Sequence, residues 1–384
     1  MNIQAISIYL KKLTTVTALL LVILSEANAQ SKLIDKIFPA DTGRRNSFMP
    51  LPAVSYNQEA GFIFGTVGLY SFYIDKTDPI IRPSQLYALA YTSTKGQSQI
   101  AIKTDIWSKK NKWHHLYSVQ RYNLPFNFYG VGNNTLYANQ DGLRQIKIRV
   151  NAEVERYVAK NYYAGLGAEF ESHSFSDLES GGIYETADLF DKDGGKFLIL
   201  KVSQLYDTRN TNTYTTKGFY ARLRYGYAPD FFGGDNFSGN FYAADIRHFF
   251  SPHQKVVFGS KLYFESLDSK NRIPFYALRQ LGNDEVMRGY YQGRYRANNY
   301  IALQSEIRYR FMDRFGIVAF GGLGNVDDRF SNIFSHLKPN YGIGGRFFFD
   351  LDKSLAVRFD YGIGEKPKGE KRISGFYISL SEAF

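Results

Sequence analysis

Six histidines, His114, His115, His173, His248, His253 and His336, are the side chains best suited to ligate a metal or act as a base near neutral pH. None stands at a ligand spacing such as H-E-x-x-H, and adjacent His114 and His115 point to opposite faces of an extended strand. The chain has no cysteine, which excludes disulfides, thiolate metal sites and thiol nucleophiles. Gly130-Val131-Gly132 and Gly342-Ile343-Gly344-Gly345 open no helix and precede no G-K-[ST], so nucleotide binding is not expected. There is no G-x-S-x-G elbow. These absences leave no catalytic residue, metal or cofactor to expect, except a Ser/His/Asp cluster assembled from several loops.

The elements that would carry any site explain why. Lys11 and Lys12, the apolar residues 13–24 and Ala27-Asn28-Ala29 form a basic region, a short apolar core and an A-x-A site. That core is too short for the about 20 residues of a transmembrane helix. The expectation is an export signal over residues 1–29, cleaved after Ala29. No later stretch approaches the roughly 18 uncharged apolar residues that a spanning helix needs.

The rest alternates with period two. Ile148, Val150, Ala152 and Val154 fall on one face of residues 146–158, opposite Lys147, Arg149, Asn151, Glu153 and Glu155. Ile301, Leu303, Ile307 and Tyr309 oppose Gln304, Glu306, Arg308 and Arg310, and Leu355, Val357, Phe359 and Tyr361 oppose Arg358 and Asp360. Such strands run about 10–14 residues, beyond the 5–6 usual in soluble sheets and matched to a tilted membrane strand. Among 384 residues there are 30 Tyr and 32 Phe, a supply of amphipathic rings suited to girdles at membrane interfaces.

Counting gives sixteen strands between residues 48 and 384. Most connections after even strands are tiny, while long ones follow odd strands at about 123–143, 174–195, 266–297 and 326–337. The expected fold is all-β: a 16-stranded antiparallel transmembrane β-barrel in the bacterial outer membrane. Residues 30–47 would be a short periplasmic segment and 48–384 the barrel. Phe376, Ile378, Leu380 and Phe384 sit at alternate positions of the last strand and look like a C-terminal barrel recognition signal, interrupted by Glu382. The net charge of +11 suits outer-membrane lipid, lipopolysaccharide or a basic lumen; after an export signal it does not point to nucleic acid.

One long loop names a family. It contains Leu281-Gly282-Asn283-Asp284 and Val286-Met287-Arg288-Gly289-Tyr290, and precedes Glu306-Ile307-Arg308-Tyr309-Arg310. Phe128-Tyr129-Gly130-Val131-Gly132-Asn133, Tyr206-Asp207-Thr208-Arg209 before Gly218, and Arg358-Phe359-Asp360-Tyr361-Gly362 complete the pattern. In this order the motifs resemble the BamA/TamA-type barrel superfamily, also called the bacterial surface antigen family, over essentially the whole exported chain. The resemblance implies that the sixth outer loop folds into the lumen and presents Arg288, Gly289 and Tyr290. A guanidinium there needs acceptors, and Glu306 lies on the lumenal face. The family's second carboxylate, on the next strand, is Gly322 here.

The implied function is insertion or export of outer-membrane or surface proteins. Family members that do this carry periplasmic POTRA domains, whereas residues 30–47 alone would precede the first strand. Delivery therefore falls to periplasmic or outer-membrane protein partners. A channel or surface antigen barrel without assembly activity is the alternative.

Overall fold

The computed structural model describes residues 46–57, 59–234, 236–351 and 354–384. The expected export signal and nearly all of the expected periplasmic segment lie outside the described residues. No described helix is long and apolar enough to cross a membrane.

The chain forms β1 (Ser47–Asn57), β2 (Gly61–Phe72), β3 (Ser84–Ser93), β4 (Ser98–Trp107), β5 (Trp113–Phe128), β6 (Asp141–Ala159), β7 (Tyr162–Ser176) and β8 (Gly194–Asp207). It continues through β9 (Gly218–Ala228), β10 (Gly239–His253), β11 (Val256–Asp268), the two-residue strands β12 (Arg279–Gln280) and β13 (Arg296–Ala297), and β14 (Asn299–Tyr309). The last four are β15 (Phe315–Asp327), β16 (Lys338–Asp350), β17 (Leu355–Ile363) and β18 (Ser374–Leu380). All except β12 and β13 join one 16-stranded sheet in sequence order. Every neighbouring pair is antiparallel; β11 pairs directly with β14, Val256 opposite Tyr309 and Ser266 opposite Asn299. The chain between them leaves the sheet, with Arg279 paired to Ala297 and Gln280 to Arg296.

Alternation sets the two faces. Ile100, Ile102, Leu166, Leu200, Ile317 and Ile343 are exposed on the outside, whereas Glu153, Lys201, Lys261, Glu306, Arg346 and Arg358 are buried inside. The core therefore occupies the lumen. The connection expected at 123–143 is shorter, because β5 and β6 keep pairing to Phe128 opposite Asp141.

The strands differ greatly in length. β6 has 19 residues, whereas β17 has 9 and β18 has 7. β1 and β18 lie side by side, joined by a hydrogen bond from Ser55 Oγ to the Ile378 carbonyl and by the Tyr56 and Phe376 rings, 6.2 Å apart. Among the described residues no ladder joins them.

Both ends of the lumen are filled. Loop residues Leu281, Val286, Met287, Tyr290 and Tyr295 pack with Tyr300, Ala302 and Val326 towards the long-loop end. At the short-turn end two connections are long and fold inward. Ile81 packs with Trp107, Tyr163, Leu205 and Tyr220, while Arg82 donates to Asp207 at 2.6 Å. Tyr214 packs with Val257, Phe348 and Ala356. The last residues complete this floor: Phe384 is buried with Ala383 against Phe249.

Candidate functional site

The site grows from the loop tip. Asn283 Oδ1 accepts the backbone N–H groups of Glu285 and Val286 at 2.8 and 2.7 Å, which closes a turn. Met287 then takes a φ of 57° and Gly289 a φ of 112°. At Gly289 a Cβ would lie 2.9 Å from the Gly362 carbonyl carbon, and at Gly362 one would lie 2.5 Å from the Arg288 carbonyl. Two glycines thus let the loop backbone rest directly on β17.

Three more strands grip this tip. From β14, Gln304 accepts the Met287 N–H at 3.1 Å and donates to the Glu285 carbonyl at 2.7 Å. From β16, Asn340 donates to the Arg288 carbonyl at 3.1 Å. The Gly289 N–H donates to the Tyr377 hydroxyl of β18 at 2.9 Å. Tyr290 is fully buried; its hydroxyl donates to the Pro339 carbonyl at 2.7 Å and accepts the Glu365 N–H at 2.9 Å.

Arg288 reaches two carboxylates. Its guanidinium, with no exposed surface, donates to Glu306 on β14 and Asp360 on β17, and it lies over the Phe320 ring at 3.6 Å. Three further arginines extend the network. Arg308 joins Glu306 at 2.8 Å to the Phe384 carbonyl at 2.8 Å. Arg346 joins Asp360 at 2.6 Å to Glu382 at 2.8 Å. Arg358 joins Asp360 at 3.0 Å to Asp284 at 2.7 Å, and Ser379 also donates to Asp284 at 2.7 Å. Each cation has its anion, as burial demands: desolvation costs several kcal/mol per ion and is offset only by good geometry.

Arg288, Gly289, Tyr290 and Glu306 are thus brought together, and Asp360 supplies a second carboxylate. Gly322 does not leave a gap: a Cβ there would meet the Leu303 carbonyl at 2.5 Å and Asn340 Oδ1 at 2.7 Å. The absent side chain makes room for Asn340. Alternation marks Asp360 as lumenal, but only the folded barrel puts β17 beside the tip; Gln304, Asn340, Asp284 and Arg346 likewise join the site only through the fold.

Phe376 and Leu380 are exposed outside and Ile378 is half-buried at the seam. Phe384 leaves their face, because the chain turns at Ser381 (φ 65°) and carries Glu382 inward to Arg346. A lumenal cavity of about 600 Å³ remains elsewhere, lined by Glu153, Glu169, Lys201 and Arg222 among others. No His/Asp/Glu group able to hold a metal occurs among the described residues. The site's chemistry is that of a buried ionic clamp, which fixes a loop to strands beside the seam.

The chain is similar to solved barrels. It resembles BamA from Haemophilus ducreyi lacking POTRA domains 1–3 with a TM-score of 0.58 and 12% identity, covering 88% of this chain and 70% of that one. CdiB from Acinetobacter baumannii gives a TM-score of 0.52 at 12% identity, over 88% of this chain and 66% of that one. CdiB from Escherichia coli gives 0.55 at 8% identity, over 91% and 69%. At such identities the likeness is one of fold. No curated protein matches the chain in sequence. The model of the Omp85 superfamily domain matches residues 85–384, most of the chain, and the protein therefore belongs to the Omp85 superfamily.

Proposed function

We propose that the protein sits in a bacterial outer membrane, long loops outward, and assists the insertion or export of outer-membrane or surface proteins delivered by partner proteins. The seam carries this reading. An unsatisfied strand edge is a template for another strand, and β1 and β18 meet with little between them. The filled lumen supports a route along the wall. The Arg288 clamp would hold β14, β16, β17 and β18 as one rigid jamb while β1 moves. Phe376, Ile378, Leu380 and Phe384 would serve as a recognition signal in the unfolded chain, before Phe384 is withdrawn to the floor. Lipopolysaccharide and phospholipid are the expected surroundings.

The test uses the absence of native cysteine. A Tyr56→Cys/Phe376→Cys pair, oxidised in cells, should stop the protein from restoring the outer-membrane proteins depleted in a deletion strain, and reductant should return that activity. An unchanged outer-membrane proteome on deletion would sink the assembly reading.

A further inference from the structure

A cleft of about 1100 Å³ opens at the long-loop end, away from the clamp, between residues 129–139, 183–190, 266–278 and 328–330. It slightly exceeds the roughly 300–1,000 Å³ of an ordinary small-molecule site. Its walls are rich in side-chain amides. Asn134, Asn139, Asn271 and Asn298 line it, and among the described residues none of their side-chain amides bonds to protein. Each offers a carbonyl acceptor and two N–H donors to the cleft. Two aromatic rings stand at its edge: Phe330 is 61% exposed and Tyr242 40% exposed.

Charge narrows the ligand. The cleft's Arg272 is already paired to Asp188 at 3.1 Å, whereas Asp268 and Asp328 are exposed on its walls. A phosphate-rich or nucleic-acid ligand would meet repulsion there. Phe330 packs edge-to-face with Phe264 and Tyr242 lies beside Tyr225, yet both keep exposed surface. Neutral amides, acceptor carboxylates and such part-exposed rings match a molecule with hydroxyls that both donate and accept and with apolar C–H faces. That is the chemistry of a pyranose ring.

We infer that this cleft is a binding site for uncharged stretches of oligosaccharide, with Asn134 and Asn298 as hydrogen-bonding residues and Phe330 as a stacking platform. Tyr242 lies on the outward face of β10 near its long-loop start, so the cleft reaches the membrane rim. Sugars could come from lipopolysaccharide beside the barrel or from a free glycan, and the same chemistry serves both. The inference uses the fold and its loops, and stands whether or not the barrel assembles proteins.

The test is calorimetric titration of the full chain, refolded in detergent, with two probes. One is the oligosaccharide released by mild acid from the bacterium's own lipopolysaccharide. The other is a set of short maltose-series and cellulose-series oligosaccharides. The expected result is saturable binding with a Kd below about 1 mM in at least one arm, and the arm that binds names the source. Asn134→Ala/Asn298→Ala and, separately, Phe330→Ala should each weaken it by at least about tenfold. Retained heat-modifiable gel mobility shows that each variant is folded. Failure of both arms to saturate, or unchanged affinity in both folded variants, would overturn the inference.

Discussion

Among the described residues Arg288 is the one side chain that ties Glu306 to Asp360, so its removal takes a guanidinium from each buried carboxylate and leaves them to Arg308 and to Arg346 and Arg358. Arg288→Ala should cost about 3–5 kcal/mol, read as a lower temperature for loss of the compact gel form. Arg288→Lys keeps the charge but not the two-pronged fork, and should fall between. Gly322→Asp would put a carboxylate where the family resemblance implies one, but must displace Asn340, whose Oδ1 lies 2.7 Å from a Cβ built there; destabilisation, not rescue, is expected. Two loop carboxylates give the crown opposite pH responses. Burial lifts Glu59, which accepts the Gln292 N–H at 2.7 Å, from 4.5 to about 7. Its raised pKa means that its support is complete below the ordinary value and lost as pH rises through about 7. Partial burial opposes ionisation of Glu370, but the Tyr137 N–H and Arg294 outweigh it and hold its pKa below 4.5. That support is present at neutral pH and lost in acid. Protection of the amides at residues 290–294, measured relative to the base-catalysed intrinsic rate, should therefore fall above about pH 7 in the native chain and lose that pH dependence in Glu59→Gln.

At the scale of elements, alternation made the strands and their two faces legible, because one pleat cannot serve lipid and water at once. The same signal placed Glu306, Arg308, Arg358 and Asp360 inside. It failed wherever backbone direction changes. The period-two pattern continues through Phe384, but a left-handed Ser381 ends the strand four residues early and turns the tail under the barrel. The Gly289–Gly362 contact was equally invisible, since it depends on two backbones meeting across a lumen. The tail supports β18 through Phe249 and Arg308. Phe384→Ala should lower stability by about 3–5 kcal/mol at most, and expose the β17–β18 edge to protease before the rest of the sheet.

The whole molecule is a barrel with fillings at both ends, and this alters what a channel experiment should show. Deleting residues 270–297 removes the clamp loop, yet Ile81, Tyr214 and Phe384 remain across the floor. Conductance in planar bilayers should stay low for that deletion and rise only when Tyr214→Ala and Phe384→Ala are added. High conductance with the loop in place would favour the channel alternative. The sixteen-strand count and the order of long and short connections were legible in sequence, as were the loop motifs. The inward folding of two connections at the short-turn end was not, because loops carry no periodic signal to say which way they lean.

The unequal strands have a consequence for the surrounding lipid. At about 3.3 Å per residue, β6 is about 60 Å long and β18 only about 23 Å, before tilt shortens both. A bilayer meeting so low a wall must thin, at a cost of fractions of a kcal/mol per Å of mismatch. Short-tailed lipids should therefore collect beside β17 and β18, and vesicles of short acyl chains should take up the unfolded protein faster than long-chain ones. The barrel would in this way choose the fluid in which its own gap is bathed.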